Sequence, residues 1–596
     1  MSWRSSSSSG SLMGCGRVIA SVTTLATALA LAATGVLRDT LAQTPQPPVL
    51  QAPPQLAPPT RPPEPGTISA PSGPAAPGAP PGAESVTLTP VDIQVEGNTV
   101  YSRADLDTLV RPLIGRQIPA SEIFKLAEAI QRKYRDDGYF LATVSVPAQR
   151  VADGRLRVVV TEGYISNVLI EGDVGPVSEK AKEYLDNVVG KKPINISDLE
   201  RYLLLTQDLP GVKVKAVMRP GREPGSSELI AQLTREWWDL FNQTDNRGAS
   251  FTGEQHNLIS AGFNSFTSIG DRIELSYFTT FNSENNFVQA AYSGHIGPEG
   301  TRFRLYGGFG RVKPGDPISQ TGYLGQVAIA GLQAFHPIIR SRRLNISVSG
   351  SFDYYHSVVD VSGGVRLSSI DLRSLRAGVD ASYHDPFNGV TYGSARLSKG
   401  ISVLGASKAG EQQLPRQGAE PSYFKVNGDV SRLQGLYSDE DFTLNLFVSG
   451  AAQFTNNMLP PSEKYFIGGE RLGRGYYAGQ VTGDRAIAAS IELQLSFAVP
   501  FSDVQPSSAP SSVAGRARGL PLQLYAFYDY GKAWNLATFE TQVIVARSYG
   551  FGVRANVGDT LTVEAEAVRR LDLNVDGATA PRLKPWGAYF RATTRF

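Results

Sequence analysis

The chain has 596 residues, enough for several domains, and its formal net charge is only +2 at pH 7. This balance excludes a strongly basic face, so the composition does not point to a nucleic-acid partner. The chain has 60 glycines and 24 tyrosines but only four methionines, which favours extended structure with many turns. Its single cysteine, Cys15, indicates neither disulfide nor thiol chemistry.

Residues 1–42 are predicted to be a signal peptide. Arg17 precedes an apolar run of small residues, and a small-residue cleavage site ends at Ala42. Met1 and Met13 both remain open as the start of translation. Beyond this leader no stretch of about 18 apolar residues occurs, so we expect any membrane span to consist of strands.

Residues 43–85 are predicted to be a proline-rich disordered linker. From Gln43 to Glu84, 15 of the 42 residues are proline, and few large apolar side chains are present to build a core. This composition favours a flexible or extended polyproline spacer, and a docking site for a proline-binding partner is the alternative.

Two units of similar pattern follow, at 86–163 and 164–236. Each has the order strand, helix, helix, strand, strand, and each is about 75 residues long, which suffices for one sheet covered by helices. In the first unit, Ser102 and Asp105 form the pattern of a capping box at a helix start. A turn before 155–161 predicts a hairpin with the strand that precedes it.

In the second unit, an apolar stripe at helical spacing predicts a helix, and Ser197 is expected to cap the next helix. The stripe consists of Val177, Ala181, Tyr184 and Val188. Strands near 142–146 and 212–217 are the candidates for exposed sheet edges that bind a partner strand.

From residue 237 to the C-terminus, apolar and polar residues alternate and no convincing helical stripe occurs. In the clearest run, 487–497, Ile491 and Leu493 alternate with Ser490 and Glu492. A soluble sandwich explains any one such strand, but the persistence of the pattern is typical of a membrane barrel with a wet lumen. At about 22 residues per strand and turn, the region holds roughly 16 strands. The candidates for aromatic belts are Trp237, Trp238, Tyr476, Tyr477 and Trp586.

The segment 465–484 is too polar and too rich in glycine for a core element, yet alternating runs at 442–448 and 487–497 flank it. We predict a long loop between two membrane strands, with Arg474 at its tip. In a strand at 522–531, Asp529 lies on the face opposite to the apolar side chains and therefore points into the lumen.

The alternation continues to the last residue. Trp586, Phe590 and Phe596 share one face, and Arg591 and Arg595 share the other. A terminal aromatic residue in phase with the apolar face resembles the assembly signal of bacterial outer-membrane barrels, so we predict that role for Phe596.

This order of segments resembles two-partner secretion transporters of the haemolysin and filamentous-haemagglutinin secretion type, within the barrel-assembly superfamily. The resemblance covers 86–596. It implies an outer-membrane β-barrel of about 16 antiparallel strands at 237–596, preceded by two periplasmic α/β POTRA domains at 86–163 and 164–236. It also implies a bacterial outer-membrane location and a role in exoprotein export.

Three motifs carry the resemblance. Gly-Arg-Gly-Tyr at 473–476 is similar to the Val-Arg-Gly-Tyr/Phe tip of a loop that folds back into the barrel, with glycine in place of the usual valine. Residues 527–531 are similar to a Phe-x-Asp-x-Gly pattern whose aspartate receives the loop arginine. The third motif comprises Asp245-Asn246, Thr252-Gly253 and Gly270-Asp271. The family's N-terminal plug helix has no obvious counterpart, because prolines occupy its position.

The resemblance implies that Arg474 meets Asp529 when the loop folds inward. Such a bidentate pair contributes about 1.5–3 kcal/mol when it is shielded, which suits a latch that holds the loop and is still displaceable. The alternative is that Arg474 is one solvated surface charge. The predicted latch residues are Gly473, Arg474, Gly475, Tyr476, Phe527, Asp529 and Gly531.

No pattern for an enzyme, a metal or a cofactor stands out. The spacing Gly473-x-Gly475-x-x-Ala478 imitates a dinucleotide fingerprint but does not lie in a strand–turn–helix unit. The five histidines lack metal-ligand spacing. We therefore expect a protein that is not an enzyme and needs neither a metal nor a cofactor.

The main interpretation is a pore that exports an unfolded exoprotein captured by the two periplasmic units. Its expected partners are a large, β-helix-like secreted protein, outer-membrane lipid and, during biogenesis, the barrel assembly machinery. An outer-membrane assembly factor is the alternative, although the main factors of that kind carry more such units. A passive porin is disfavoured, because it needs none.

Overall fold

The computed structural model describes residues 78–151, 153–249, 252–316, 318–499, 519–575 and 583–596. The predicted signal peptide and most of the predicted linker, where a plug helix would also lie, are outside these residues. The described chain forms two small α/β units followed by a closed barrel.

The first unit is a three-stranded sheet with two helices. Its elements are β1 (Thr87–Leu88), β2 (Asp92–Glu96), α1 (Arg103–Val110), β3 (Ile118–Pro119), α2 (Ser121–Asp136), β4 (Thr143–Ser145) and β5 (Arg155–Thr161). The sheet order is β2-β5-β4, so β4 lies at an edge. The predicted capping box is confirmed: the Asp105 amide donates to the Ser102 hydroxyl, and the Ser102 amide donates to the Asp105 carboxylate.

The second unit repeats this arrangement. Its elements are β6 (Tyr164–Glu171), α3 (Val177–Leu185), α4 (Ile196–Gln207), β7 (Val212–Pro220) and β8 (Ser226–Arg235). The order β6-β8-β7 leaves β7 at an edge. The predicted helical stripe is confirmed, because its four side chains are fully buried. The prediction that Ser197 is a cap is wrong. Asn195 has an extended backbone and accepts from the Ser197 amide at 3.0 Å, so the helix begins at Ile196.

A buried carboxylate lies at the boundary between the two units. Glu162, between β5 and β6, accepts from two backbone amides, including that of Thr99 at 2.7 Å, and from the Tyr134 hydroxyl at 2.8 Å. Burial by itself raises the pKa of the Glu162 carboxyl, but these donors outweigh burial and hold the pKa below its ordinary value. The units are also joined by the Ile196 amide, which donates to the Gly138 carbonyl at 2.8 Å.

The barrel is a closed antiparallel ladder of sixteen strands, which confirms the predicted architecture and strand number. Its first eleven strands are β9 (Trp238–Asp245), β10 (His256–Asn264), β11 (Arg272–Thr280), β12 (Asn285–Ile296), β13 (Thr301–Val312), β14 (Leu324–Arg340), β15 (Leu344–Val361), β16 (Val365–His384), β17 (Gly389–Gly400), β18 (Phe424–Ser438) and β19 (Phe442–Thr455). A separate two-stranded ladder of β20 (Tyr465–Ile467) and β21 (Val481–Gly483) follows. The last five barrel strands are β22 (Arg485–Val499), β23 (Leu520–Trp534), β24 (Val543–Val557), β25 (Leu561–Arg570) and β26 (Trp586–Arg595).

Strand alternation separates outward-facing from lumen-facing side chains. On β22, Ile487 and Ile491 are exposed, whereas Ala488 and Ser490 are buried. This is the arrangement of a barrel with an apolar outer surface and a polar interior. No helix among the described residues is both long and apolar enough to cross a membrane.

Two of the predicted aromatic-belt positions are wrong. Trp237, Trp238 and Trp586 are exposed, as a belt requires, but Tyr476 is 0% exposed. Tyr477 also lies inside, where the guanidinium carbon of Arg570 is 5.7 Å from the centre of its ring. The reason is that the loop carrying both tyrosines folds into the barrel.

The second unit packs against the strand turns at one end of the barrel, which we call the near end. Arg201 on α4 pairs with Glu299 at 3.1 Å, and Arg340 at the end of β14 pairs with Asp208 at 2.7 Å. The long loops 401–423 and 456–484 lie at the opposite, far end. Among the residues that the structure describes, the longest loops thus begin and end on the side of the barrel away from the two units.

Replacing Glu162 should destabilise the first unit. Glu162→Ala leaves the Thr99 and Val100 amides without their carboxylate acceptor, so we expect a loss of about 2–4 kcal/mol in the free energy of unfolding. Because the folded pKa lies below the unfolded value of about 4.3, this contribution is complete above that pH and is lost as the pH falls through the folded pKa.

Hydrogen–deuterium exchange of α2 amides in the full-length protein measures the effect. The control is Glu128→Ala, which removes an exposed pair with Arg132 on the same helix and should change the protection of α2 by less than about 0.5 kcal/mol. Equal protection of the two variants would show that Glu162 does not stabilise the unit.

Candidate functional site

The segment 456–484, which we call the lumen loop, connects β19 to β22 and enters the barrel. Within it, β20 and β21 form a small hairpin. Gly473 has a φ of +80°, and a Cβ atom there would lie 2.7 Å from the Ile467 side chain. Glycine in place of the family's valine therefore avoids strain at the tip. At Gly475 a Cβ atom would lie 2.7 Å from the Ser548 Cβ, so this position also requires a close approach to the wall.

Arg474 is buried against the inner wall of the barrel, at 4% exposure. Its Nε and Nη2 donate to the two carboxylate oxygens of Asp529 at 3.1 and 3.0 Å, and its backbone amide donates to the same carboxylate at 2.8 Å. Nη1 pairs with Glu492 and Nη2 also donates to the Ser490 hydroxyl at 2.9 Å. The guanidinium carbon lies 3.4 Å from the centre of the Phe527 ring, which is a cation–π contact.

The register of two neighbouring strands creates this acceptor set. On β22 and β23, Ser490 is opposite Asp529, and Glu492 is opposite Phe527. Residues two apart on a strand face the same side, so all four side chains point into the lumen at one level. Gly531, two residues further on, lies against the hairpin: a Cβ atom there would be 2.9 Å from Ile467.

The backbone around the tip is held as well. The Gly475 amide donates to the Ser548 hydroxyl at 3.2 Å, and its carbonyl accepts from Arg570 and from the Tyr589 hydroxyl. The hydroxyl of Tyr476 donates to the carbonyls of Arg547 and Asp572, at 2.9 and 3.0 Å. Both backbone and side-chain groups of the tip are therefore bound to the part of the wall formed by β22–β26.

Two further loop contacts reach the first and last strands. Arg247, just after β9, donates to the carbonyls of Gly469 and Arg474 at 3.1 and 2.8 Å. Glu470 accepts from Gln243 on β9 and from Arg591 on β26. The lumen loop thus contacts both sides of the line where the barrel closes.

Sequence reasoning missed several of these groups. In the sequence, Glu492 is one polar residue of an alternating strand, and its inward position follows from that alternation. Arg554 bridges Glu492 and Glu564, at 2.8 and 3.1 Å, and no local pattern indicated this. Arg247 follows a strand end and has no sequence signal. Among the described residues, no group of three or more His, Cys, Asp or Glu side chains is arranged to hold a metal ion.

Sequence comparison identifies the family. A model of the haemolysin secretion/activation proteins ShlB/FhaC/HecB matches residues 225–555, and a model of the ShlB-type POTRA domain matches residues 88–163. The chain belongs to the haemolysin secretion/activation protein family. This is a family of outer-membrane transporters, so the near end of the barrel is periplasmic and the far end is extracellular.

Individual relatives agree with this assignment. The heme/hemopexin transporter protein HuxB of Haemophilus influenzae strain 86-028NP is 23% identical over 501 residues, covering 82% of this chain and 85% of that protein. The outer membrane transporter CdiB of Escherichia coli O6:K15:H31 is 23% identical over 434 residues, covering 70% and 71%. A solved structure of CdiB from Escherichia coli is similar with a TM-score of 0.68 at 19% identity, covering 89% of this chain and 94% of that chain.

The predicted fold, outer-membrane location and export function are therefore confirmed. The structure brings Arg474, Phe527 and Asp529 together, while their function as a latch stays a prediction. Phe596 is 63% exposed at the end of β26, and its amide donates to the Leu240 carbonyl at 2.9 Å. Its function as an assembly signal also stays a prediction.

Breaking the pair at the tip should impair export without preventing barrel assembly. Arg474→Ala leaves the buried Asp529 carboxylate without its cation, and Asp529→Ala removes the bidentate acceptor of the buried guanidinium. Each change costs up to about 3–5 kcal/mol and displaces the tip from the wall, so we expect export to fall by about tenfold or more. The double variant should be no worse than either single variant, because both changes remove the same interaction. Secreted protein is measured in the medium and barrel assembly by heat-modifiable migration.

A matched control is Arg304→Ala. It breaks a lumen-wall pair with Glu274 at 3.1 Å, and the partners of both residues lie on barrel strands rather than on the lumen loop. Export by this variant should stay near the wild-type level. Additive losses in the Arg474/Asp529 double variant would argue against direct pairing.

Proposed function

We propose that the two periplasmic units capture an unfolded secreted protein and that the barrel conducts it outward when the lumen loop leaves its position. In this assignment the capture units are 86–163 and 164–236, and the pore is 237–596. The observation that supports it most directly is an unpaired sheet edge facing the periplasm together with an ionically anchored loop inside the pore.

Strand β7 is the better of the two candidate capture edges. It has nine residues, whereas β4 has three, and each lies at the end of its sheet. A cargo strand added to a sheet edge is held by backbone hydrogen bonds, so the longer edge should bind it more strongly. Such bonds require little of the cargo's amino-acid sequence. Along β7, Lys213, Lys215 and Val217 are exposed and alternate with residues packed on the helices.

Passage through the lumen requires the loop contacts to be replaced by contacts with cargo. The ion pairs of Arg474 are buried and reversible, so an unfolded chain that offers alternative partners can displace them one at a time. The sequence has no nucleotide-binding pattern, and we attribute net movement to folding of the cargo outside, from where it does not return. By this reasoning the cargo is a large secreted protein that folds extracellularly, such as a β-helix.

Two other partners belong to this proposal. The exposed apolar side chains of the strands contact outer-membrane lipid, and Phe596 is read by the barrel assembly machinery when the protein is inserted. A function as an assembly factor for other barrels predicts a different phenotype: depletion would lower many outer-membrane proteins. Depletion of an exporter would remove one secreted protein from the medium.

Site-specific photocrosslinking tests the capture step. A photoreactive amino acid at Lys215 or Val217 on β7 should crosslink to a cargo whose export is stalled by a folded C-terminal fusion. The control position is Glu179, exposed on the helical side of the same unit at α3. We expect about tenfold more adduct from the β7 positions, since edge pairing restricts contact to that strand. Equal adducts from β7 and from Glu179 would contradict edge capture.

A further inference from the structure

A second buried ionic cluster lies at the extracellular end of the barrel, away from the tip of the lumen loop. Arg416, in the loop 401–423, is only 5% exposed. Its Nη1 and Nη2 donate to the two carboxylate oxygens of Asp484 at 2.6 and 2.9 Å. Its Nε and Nη2 donate to Glu540 at 2.7 and 3.0 Å, and Nη1 also donates to the Leu459 carbonyl at 2.7 Å. These contacts use all five N–H groups of the guanidinium.

Asp484 is the last residue of the lumen loop and is completely buried. Besides Arg416, its carboxylate accepts from the backbone amides of Leu459 and Leu536, at 2.8 and 2.7 Å. Leu459 belongs to the start of the lumen loop and Leu536 to the loop 535–542. One carboxylate therefore connects both ends of the lumen loop to two other extracellular loops.

The cluster is balanced in charge. Lys464, also in the lumen loop, pairs with Glu540 at 3.0 Å, so two cations face two carboxylates. The loop 401–423 also contacts the start of the lumen loop, because the Glu420 amide donates to the Met458 carbonyl at 2.8 Å. A buried charge set that is complete in both ion pairs and hydrogen bonds is stable only as a unit, since loss of one member leaves the others desolvated.

We propose that Arg416 and Asp484 form a second anchor, which holds the base of the lumen loop closed by fastening it to the loops 401–423 and 535–542. Arg474 holds the tip through Asp529, Glu492 and Ser490, and none of these residues contacts Arg416. The two anchors are thus separate. In the proposed export function, on which this inference rests, both anchors have to open before cargo leaves the pore.

The two-anchor arrangement gives each position a different effect. Release of the tip frees the middle of the loop inside the lumen, but its two ends stay fastened to the neighbouring extracellular loops. Release of the base frees the extracellular loops from one another and exposes the hairpin of β20 and β21 to the outside. Arg416 and Asp484 are therefore positioning residues: they act on the pore through the placement of the lumen loop.

Accessibility of the loop from outside tests the second anchor without any cargo. In a Cys15→Ser background, Val481→Cys places a thiol in β21, where the side chain is fully buried. Intact cells are treated with a membrane-impermeant maleimide. Arg416→Gln and Asp484→Asn should each raise the labelling rate about tenfold, the effect of losing about 1.4 kcal/mol of loop anchoring. The double variant should label no faster than the faster single variant.

The control is Arg366→Gln, which removes an extracellular pair with Asp360 that does not involve the lumen loop. It should label at the unsubstituted rate. Arg416→Lys keeps the positive charge but loses the bidentate hydrogen bonding to Asp484, so we expect an intermediate labelling rate. Heat-modifiable migration identifies the variants that assemble. If Arg416→Gln does not assemble, the labelling rates of Asp484→Asn and Arg416→Lys are compared with the control instead.

Labelling of the Arg416 and Asp484 variants at the rate of the Arg366 control would overturn the second anchor. An effect of Asp484→Asn with none from Arg416→Gln would also overturn it, because the proposal depends on their pairing. Export is then measured separately. Faster labelling with unchanged or raised export is the expected result, because the variants have already released an anchor that has to open. Loss of export with faster labelling would leave the anchor in place and contradict its opening as a step of export.

Discussion

The contact between Arg474 and the wall of the barrel holds the lumen loop inside the barrel. A guanidinium that is 4% exposed has lost nearly all of its water, a desolvation of several kcal/mol that only a complete set of acceptors offsets. Asp529, Glu492 and Ser490 supply that set, and the Phe527 ring covers the planar face. The loop is stable in the lumen because this set is complete, and the same completeness makes removal of one member costly.

The strand period explains why the barrel can offer such a set. Inward-facing residues recur every second position, so two adjacent strands place four side chains in a compact square on the inner wall. In a soluble sandwich these positions would be apolar and packed. Here the inner face is polar, and carboxylates on β22, β23 and β25 alternate with arginines from β24 and β26. Arg474 of the lumen loop binds among these charged side chains of the inner wall.

Strand alternation and the chemistry of the motif predicted a large part of this structure, because both are local. The sixteen strands, the inward face of Asp529 and the tip position of Arg474 follow from period and spacing. The wrong assignments have tertiary causes. Tyr476 and Tyr477 resemble belt residues until the loop is known to fold inward, and Ser197 resembles a cap until Asn195 is seen to accept its amide. Arg247 and Arg416 find their partners far along the chain, so no window of sequence indicates them.

The two ends of the barrel differ in how firmly their contacts hold. The second periplasmic unit rests on the turns between β12 and β15 through pairs such as Arg201–Glu299, in which the Glu299 side chain is 47% exposed. Exposed pairs of this kind contribute about 0–1 kcal/mol each, whereas breaking a buried pair such as that of Arg474 costs about 3–5 kcal/mol. The ion pairs that join the second unit to the barrel are therefore weaker than those that hold the loop. In the proposed function, cargo held on the edge strand meets a pore whose lumen the loop still occupies, and we expect the loop to leave only when the cargo supplies replacement contacts.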